Sequence, residues 1–409
     1  GRGPEASPGG AGASGPGGEE NQGGGFLSRL KNRVFRGDGA GGKDALEATR
    51  AADAALFPWL GGGNPDPNAA TPVVTPFDGH IAMVMRPGVL EQKRRLVQMD
   101  GSHSLQVLAR FERVLQPFKV KGAAAQPEPA MSTRDLVENT NLLWHQAQSK
   151  IAAIKRDAAA RPPPRNGTAT ASVDDVNALL AVERIIAQEG GLFPSNMVQA
   201  VTQNSEKLAL RRGAADLLRA LVWRGVPLTV LTPGWAPVAT EVLRQSGGVA
   251  GPSGMLPPNV AVAGNFFQVG QNGMVVGFSP PLTEAACNAS TAAALLGGAA
   301  AQSLRSRPNA VALADSPASL RKLLEGVPQK ARIAIGFLEV DEDFQTKLPE
   351  YLEAFDVVLV GEPSMAYVVR LIESMLGLPV EQGQPGQQPQ PGQQGPPQGM
   401  GGMGGMGGM

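Results

Sequence analysis

Six short apolar runs constrain this chain more than any other feature. They are "SLQVLA" (104–109), "PLTVLT" (227–232), "NVAVAG" (259–264), "AVALAD" (310–315), "RIAIGF" (332–337) and "DVVLVG" (356–361). Each is too short for a helix and suits a strand. Continuous apolar runs of this kind are strands buried on both faces. Helical segments lie between several of them, as at 213–225 and 236–246. Such alternation predicts an α/β fold, a Rossmann-type, mostly parallel sheet covered by helices. Ligands in these sheets bind beyond the carboxyl ends of the strands. The residues that follow the runs are therefore the ones to read for function.

The rest of the chain divides by composition. Residues 1–70 form a low-complexity tail, and 1–25 are too rich in Gly, Pro, Ala and Ser to order themselves. Within the tail, "FLSRLKNRVFR" (26–36) puts Phe26, Leu27, Leu30 and Val34 roughly on one helical face, with Arg29, Lys31, Arg33 and Arg36 elsewhere. Three turns are marginal alone. The expectation is docking on a partner or peripheral contact with an anionic membrane, against a frayed helix. Residues 71–376 are globular. A mostly helical cap insertion at about 121–212 interrupts them after the first core strand, with helices expected at 173–190 and 195–210 and a loop at "ARPPPRNGTAT". Residues 377–409 are Gln/Gly/Pro-rich and end in "GGMGGMGGM", a second tail expected to be disordered.

Charge and cysteine content remove several classes. The 36 basic and 36 acidic residues cancel, which argues against nucleic acid as a partner, since phosphate backbones need a basic surplus or face. Cys287 stands alone and reads as a small buried residue, so no intramolecular disulfide forms. His80, His103 and His145 form no Cys/His pattern for zinc. No apolar run reaches transmembrane length, and no glycine run has the spacing of a phosphate or dinucleotide loop. Sequons at Asn166 and Asn288 carry no sign of secretion. The chain begins with Gly1. The expectation drawn from this is an organellar protein, chloroplast before mitochondrion, with the cytoplasm as alternative.

Four strand ends carry the candidates. Arg110, Phe111, Glu112, Arg113 and Val114 follow "LQVLA"; Thr232, Pro233 and Gly234 follow "PLTVL"; Cys287 and Asn288 lie in 277–291; Asp315, Ser316 and Ser319 follow "AVALA". This order, with the block "LALRRGAADLLRALVWRGVPLTVLTPGWAPVATEVLRQSG", resembles the pyrimidine 5′-nucleotidase family of the haloacid dehalogenase (HAD) superfamily over roughly 80–376. The resemblance implies a HAD-like fold with a helical cap. It also implies phosphoryl chemistry: an aspartate nucleophile, a second aspartate two residues on as acid/base, Mg²⁺ on carboxylates, and a Ser/Thr and a Lys on the phosphate.

Position by position, this chain departs from that pattern. Arg110 stands at the nucleophile, and a guanidinium cannot attack phosphorus. Glu112 stands at the acid/base, Val114 at the motif's threonine, and Thr232 keeps the Ser/Thr, followed by Gly234. Asn288 falls near the lysine. Asp315 is the one retained metal-type carboxylate, with Ser319 where a second aspartate is expected. "NALLAVERII" (177–186) replaces the cap's paired aromatics, and Trp144 aligns with nothing. Arg110 is expected to put its charge where Mg²⁺ would sit, near Glu112 and Asp315, the alternative being an arginine in solvent. The expectations are a relic site (Arg110, Glu112, Thr232, Asn288, Asp315, Ser319) with no catalytic residue, bound metal or cofactor. On this reading the chain is not an enzyme. It is an inactive scaffold subunit among other protein subunits in a larger organellar assembly, such as a protein-import complex. The alternatives are a nucleotide or phosphate sensor, and a residual nucleoside-monophosphate phosphatase in which Glu112 activates water on a metal at Asp315.

Overall fold

A computed structural model of the chain describes residues 73–122, 126–160, 173–251, 254–279 and 286–376. The segment 26–36, both tails, Asn166 and the loop at 161–170 lie outside the described residues. All six apolar runs are strands: β3 (Leu105–Arg110), β6 (Leu228–Trp235), β7 (Val260–Val269), β9 (Asn309–Ala314), β10 (Ala331–Leu338) and β11 (Val357–Val360). With β1 (Val73–Phe77), β2 (His80–Val84) and β8 (Val275–Ser279) they form one sheet in the order β1-β2-β11-β10-β9-β3-β6-β7-β8. The six central strands are parallel, and β2, β1 and β8 are antiparallel at the edges. This is the mostly parallel α/β sheet that the runs predict.

The β1–β2 hairpin is a feature the sequence reading passed over. Asp78 and Gly79 both have positive φ, 51° and 80°. A two-residue loop of that conformation is the turn that Asp-Gly favours between strands, so "VVTPFDGHIAMV" carried the signal.

Helices cover both faces. Leu105, Val107 and Ala109 share one apolar cluster with α1 (Pro87–Asp100), α6 (Ala214–Trp223), α7 (Ala236–Ser246) and α12 (Ala366–Met375). Leu108 joins the other, with α8 (Ala289–Leu296), α9 (Gly298–Ser306), α10 (Pro317–Leu324) and α11 (Phe344–Ala354). Every residue of β3 is buried, as a central strand of a doubly covered sheet requires. Cys287 is buried in the second cluster.

Between β3 and β6 lie a short ribbon, β4 (Lys119–Lys121) with β5 (Pro127–Pro129), and then α2 (Thr133–Asn139), α3 (His145–Ala159), α4 (Val173–Glu189) and α5 (Ser195–Gln203). Helix α5 stops seven residues short of the predicted 210. Asn204 turns its side chain back to the Ala200 carbonyl at 2.9 Å, and the chain continues in turns to Leu208. Such a local side-chain bond competes with helix continuation.

Candidate active site at the strand ends

The residues after β3 do not form a simple loop. Phe111–Leu115 makes one wide turn, closed by the Gln116 N–H donating to the Phe111 carbonyl at 2.9 Å. Arg113 sits inside it at φ 64°, left-handed backbone that a branched or long side chain rarely adopts. Arg211 holds the turn there. Its buried guanidinium donates to the carbonyls of Arg113, Val114, Gln116 and Pro363, and its own N–H donates to the Leu115 carbonyl. Glu362, beyond β11, pairs with Arg211 and also accepts from the Phe118 and Lys119 N–H groups. Burial pulls the Arg211 pKa down to about 10, partly offset by Glu362. The group stays charged at neutral pH. Nothing in the sequence marked Arg211, because its partners come from two separate strand ends, those of β3 and β11.

Glu112 is held as firmly. Its Oε1 accepts from the hydroxyls of Thr232 at 2.6 Å and Thr133 at 2.8 Å. Both hydroxyl oxygens in turn accept backbone N–H bonds, Thr232 from Gly234 and Thr133 from Trp235. Thr133 is buried at the start of α2, one residue after the capping box that Ser132 and Asp135 make. Glu112 Oε2 is buried and has no hydrogen-bond partner among the described residues. Gly234 is required by close approach, since a Cβ there would lie 1.9 Å from Thr133 Oγ1 and 3.3 Å from Glu112 Oε1.

At the end of β9, Asp315 Oδ2 lies 3.5 Å from Arg113 Nε, while its Oδ1 is buried without a hydrogen-bond partner among the described residues. Arg113 also donates to Glu339 at 2.9 Å, and Lys119 pairs with Glu339 at 3.1 Å. Tyr351 donates its hydroxyl to the Asp315 carbonyl; burial, then the Asp315 charge, push its pKa up, so the phenol stays a neutral donor. The sequence offered no lysine near position 288, and the fold brings Lys119 to this rim from the ribbon instead.

The structure therefore joins Glu112 with Thr232, and links Asp315 to the same turn through Arg113. Arg110 is 4% exposed, which removes the reading of an arginine in solvent. Asn288 and Ser319 are engaged in helix caps. Asn288 caps α8 through the Thr291 N–H and donates to Glu325 at 3.1 Å. Ser319 bonds Ser316, the cap of α10, through both its N–H and its hydroxyl. Capping uses the short polar side chains that the sequence comparison placed in the site.

The cap reaches the site through Arg134. Its guanidinium donates to the Pro233 carbonyl and to Glu183 of α4 at 2.9 Å, and lies 4.8 Å from the centre of the Trp235 ring. Trp235 is buried against Phe267 and Phe278, an aromatic group assembled from β6, β7 and β8. Trp144 caps α3 and packs on Gly191, so it is no part of this group.

A divalent cation, which this kind of strand-end site implies, does not suit the residues present. Position 110 carries a buried guanidinium, and Asp315 already faces a second one. Among the described residues no three His, Cys, Asp or Glu side chains gather as a metal set.

A doubly wound sheet with its polar cluster beyond the carboxyl ends of β3, β6 and β9, and a helical insertion after β3, defines the chain as a HAD-fold protein. Residues 183–376 match the family model described as pyrimidine 5′-nucleotidase (UMPH-1). Two Xenopus laevis proteins, 7-methylguanosine phosphate-specific 5′-nucleotidases A and B, are each 22% identical over 304 residues, 73% of this chain and 97% of theirs. A solved structure of cytosolic 5′-nucleotidase IIIB bound to cytidine superposes with a TM-score of 0.57 at 19% identity, over 72% of this chain and 93% of that one. The likeness shows the shared fold. The expectation that the chain is not an enzyme is overturned here: the family and the relatives matched over nearly their whole length are 5′-nucleotidases.

Proposed function

We propose that the chain takes the 5′-phosphate of a nucleoside monophosphate at the strand ends and hydrolyses it by direct attack of water. Position 110 bars a covalent phosphoenzyme, because a guanidinium has no nucleophilic lone pair to offer. The observation that carries the reading is Glu112. Two threonine hydroxyls fix one carboxylate oxygen and leave the other, Oε2, buried and without a partner among the described residues. A positioned carboxylate is the group a general base requires. Glu112 takes the proton of water as the water oxygen bonds to phosphorus. The proton returns to the nucleoside 5′ oxygen as the ester P–O bond breaks. Arg113 and Lys119, both about half exposed on the rim, supply charge for the phosphate oxygens.

The test is release of inorganic phosphate from a panel of nucleoside monophosphates. Turnover is expected, and Glu112→Gln is expected to lower it about a hundredfold. Wild-type release at the blank rate, or an unaffected Glu112→Gln, would overturn the proposal.

Membership of a larger organellar assembly is a separate proposal, motivated by the two tails and the basic amphipathic segment 26–36. Native purification with sizing is expected to give a complex, and liposome flotation of a 26–36 peptide tests the membrane contact. A clean monomer and an unbound peptide would remove both.

A further inference from the structure

Cations gather at the strand ends: Arg110 is buried at the end of β3, Arg113 and Lys119 face Asp315 and Glu339, and Arg211 pairs with Glu362. In the family's motif a carboxylate stands at position 110. A guanidinium there changes the local charge from −1 to +1, and that difference equals the charge of one Mg²⁺. Arg113 adds a second guanidinium directly on Asp315, the single carboxylate of metal type that remains. Its left-handed backbone is a strained state, kept by the Arg211 bonds to the turn. Strain of that kind persists where the surroundings enforce it, and it clusters at functional sites.

We propose that Arg110 and Arg113 take the electrostatic place of the divalent cation, so that the site holds a phosphomonoester dianion without metal. Guanidinium groups suit the task, since their planar donors match phosphate oxygens and their charge is permanent. A divalent ion brought beside two guanidinium groups is repelled, and Asp315 cannot serve both. The inference deepens the phosphate reading above and rests on it only for the identity of the anion.

The experiment uses the full chain, with thermal unfolding and calorimetry as readouts. MgCl₂ alone, against NaCl of equal ionic strength, is expected to leave the unfolding midpoint unchanged. Inorganic phosphate is expected to raise it equally with and without EDTA. A saturable rise with Mg²⁺, or a phosphate effect that EDTA abolishes, overturns this inference while leaving the phosphate reading intact. No phosphate effect under any condition overturns the phosphate reading and the anion half of this one together. Arg110→Asp restores the carboxylate and is expected to gain a saturable Mg²⁺ stabilisation; a folded variant without it counts against the substitution. Should that variant fail to fold, Arg113→Gln reads the same idea at a half-exposed position. It is expected to weaken phosphate binding about tenfold with EDTA present, and unchanged affinity overturns the role given to Arg113.

Discussion

Gly234 and Arg211 govern the site from opposite sides. A methyl group on Gly234 would occupy the space of the Thr133 hydroxyl, the second donor to Glu112. Gly234→Ala is expected to cost about 1–3 kcal/mol, as overpacking does, and to release Glu112 from one of its two holders. Urea unfolding reads the first effect and the phosphate-release assay the second. Arg211 is a buried cation whose donors all find carbonyls or Glu362. Arg211→Met removes these bonds at once and leaves the carbonyls of Arg113, Val114 and Gln116 without them. The expected loss is about 3–5 kcal/mol, the range for breaking a buried charged pair. An unfolding midpoint within error of wild type would show that the turn holds itself.

Among the elements, the contact that matters most runs from α4 to the carboxyl end of β6. Arg134 spans it, with Glu183 on one side and the Pro233 carbonyl and Trp235 ring on the other. The insertion is thus tied to the core at the residue between Thr232 and Gly234. Arg134→Ala is expected to raise amide exchange across 173–189 and at 232–235 while β3 and β9 stay protected. Uniform exchange change across the sheet would mean global destabilisation instead of a loosened tether. The ribbon β4–β5 has a comparable part, since it carries Lys119 to Glu339.

For the whole molecule, acid is expected to lower stability in two stages. Burial holds His80 below the usual histidine range, opposed by Asp78 and reinforced by Arg212 and Arg211. The unfolded chain therefore binds this proton more readily, and stability falls as pH drops through the window below about 6.5. Glu91 follows. Burial raises its pKa, but bonds from Arg94 and Arg95 outweigh that and hold it below its ordinary value. Its contribution is complete above the ordinary carboxylate range and is lost as pH falls beneath it. Urea unfolding across this range checks both stages. His80→Gln is expected to remove the upper stage alone, and persistence of that stage would assign it to another group.

The six apolar runs were enough to define the parallel sheet, because two-sided burial leaves its mark on every residue of a strand such as β3. The strand-end rule then pointed to Arg110, Glu112, Thr232 and Asp315, since backbone order alone places those positions together. Asn288 and Ser319 take part in helix caps, a use the sequence comparison did not foresee, because a short polar side chain at a helix start serves a cap as readily as a ligand. Thr133, Arg211, Glu362 and Lys119 were beyond reach for the opposite reason. Each meets the site across long stretches of chain, and no local pattern records a pairing that only the packed fold creates. The sequence determined which strand ends converge and that position 110 cannot attack phosphorus. Tertiary structure decided which groups hold Glu112 and Arg113 in place, because hydrogen-bond partners of a buried charge are chosen by proximity in space.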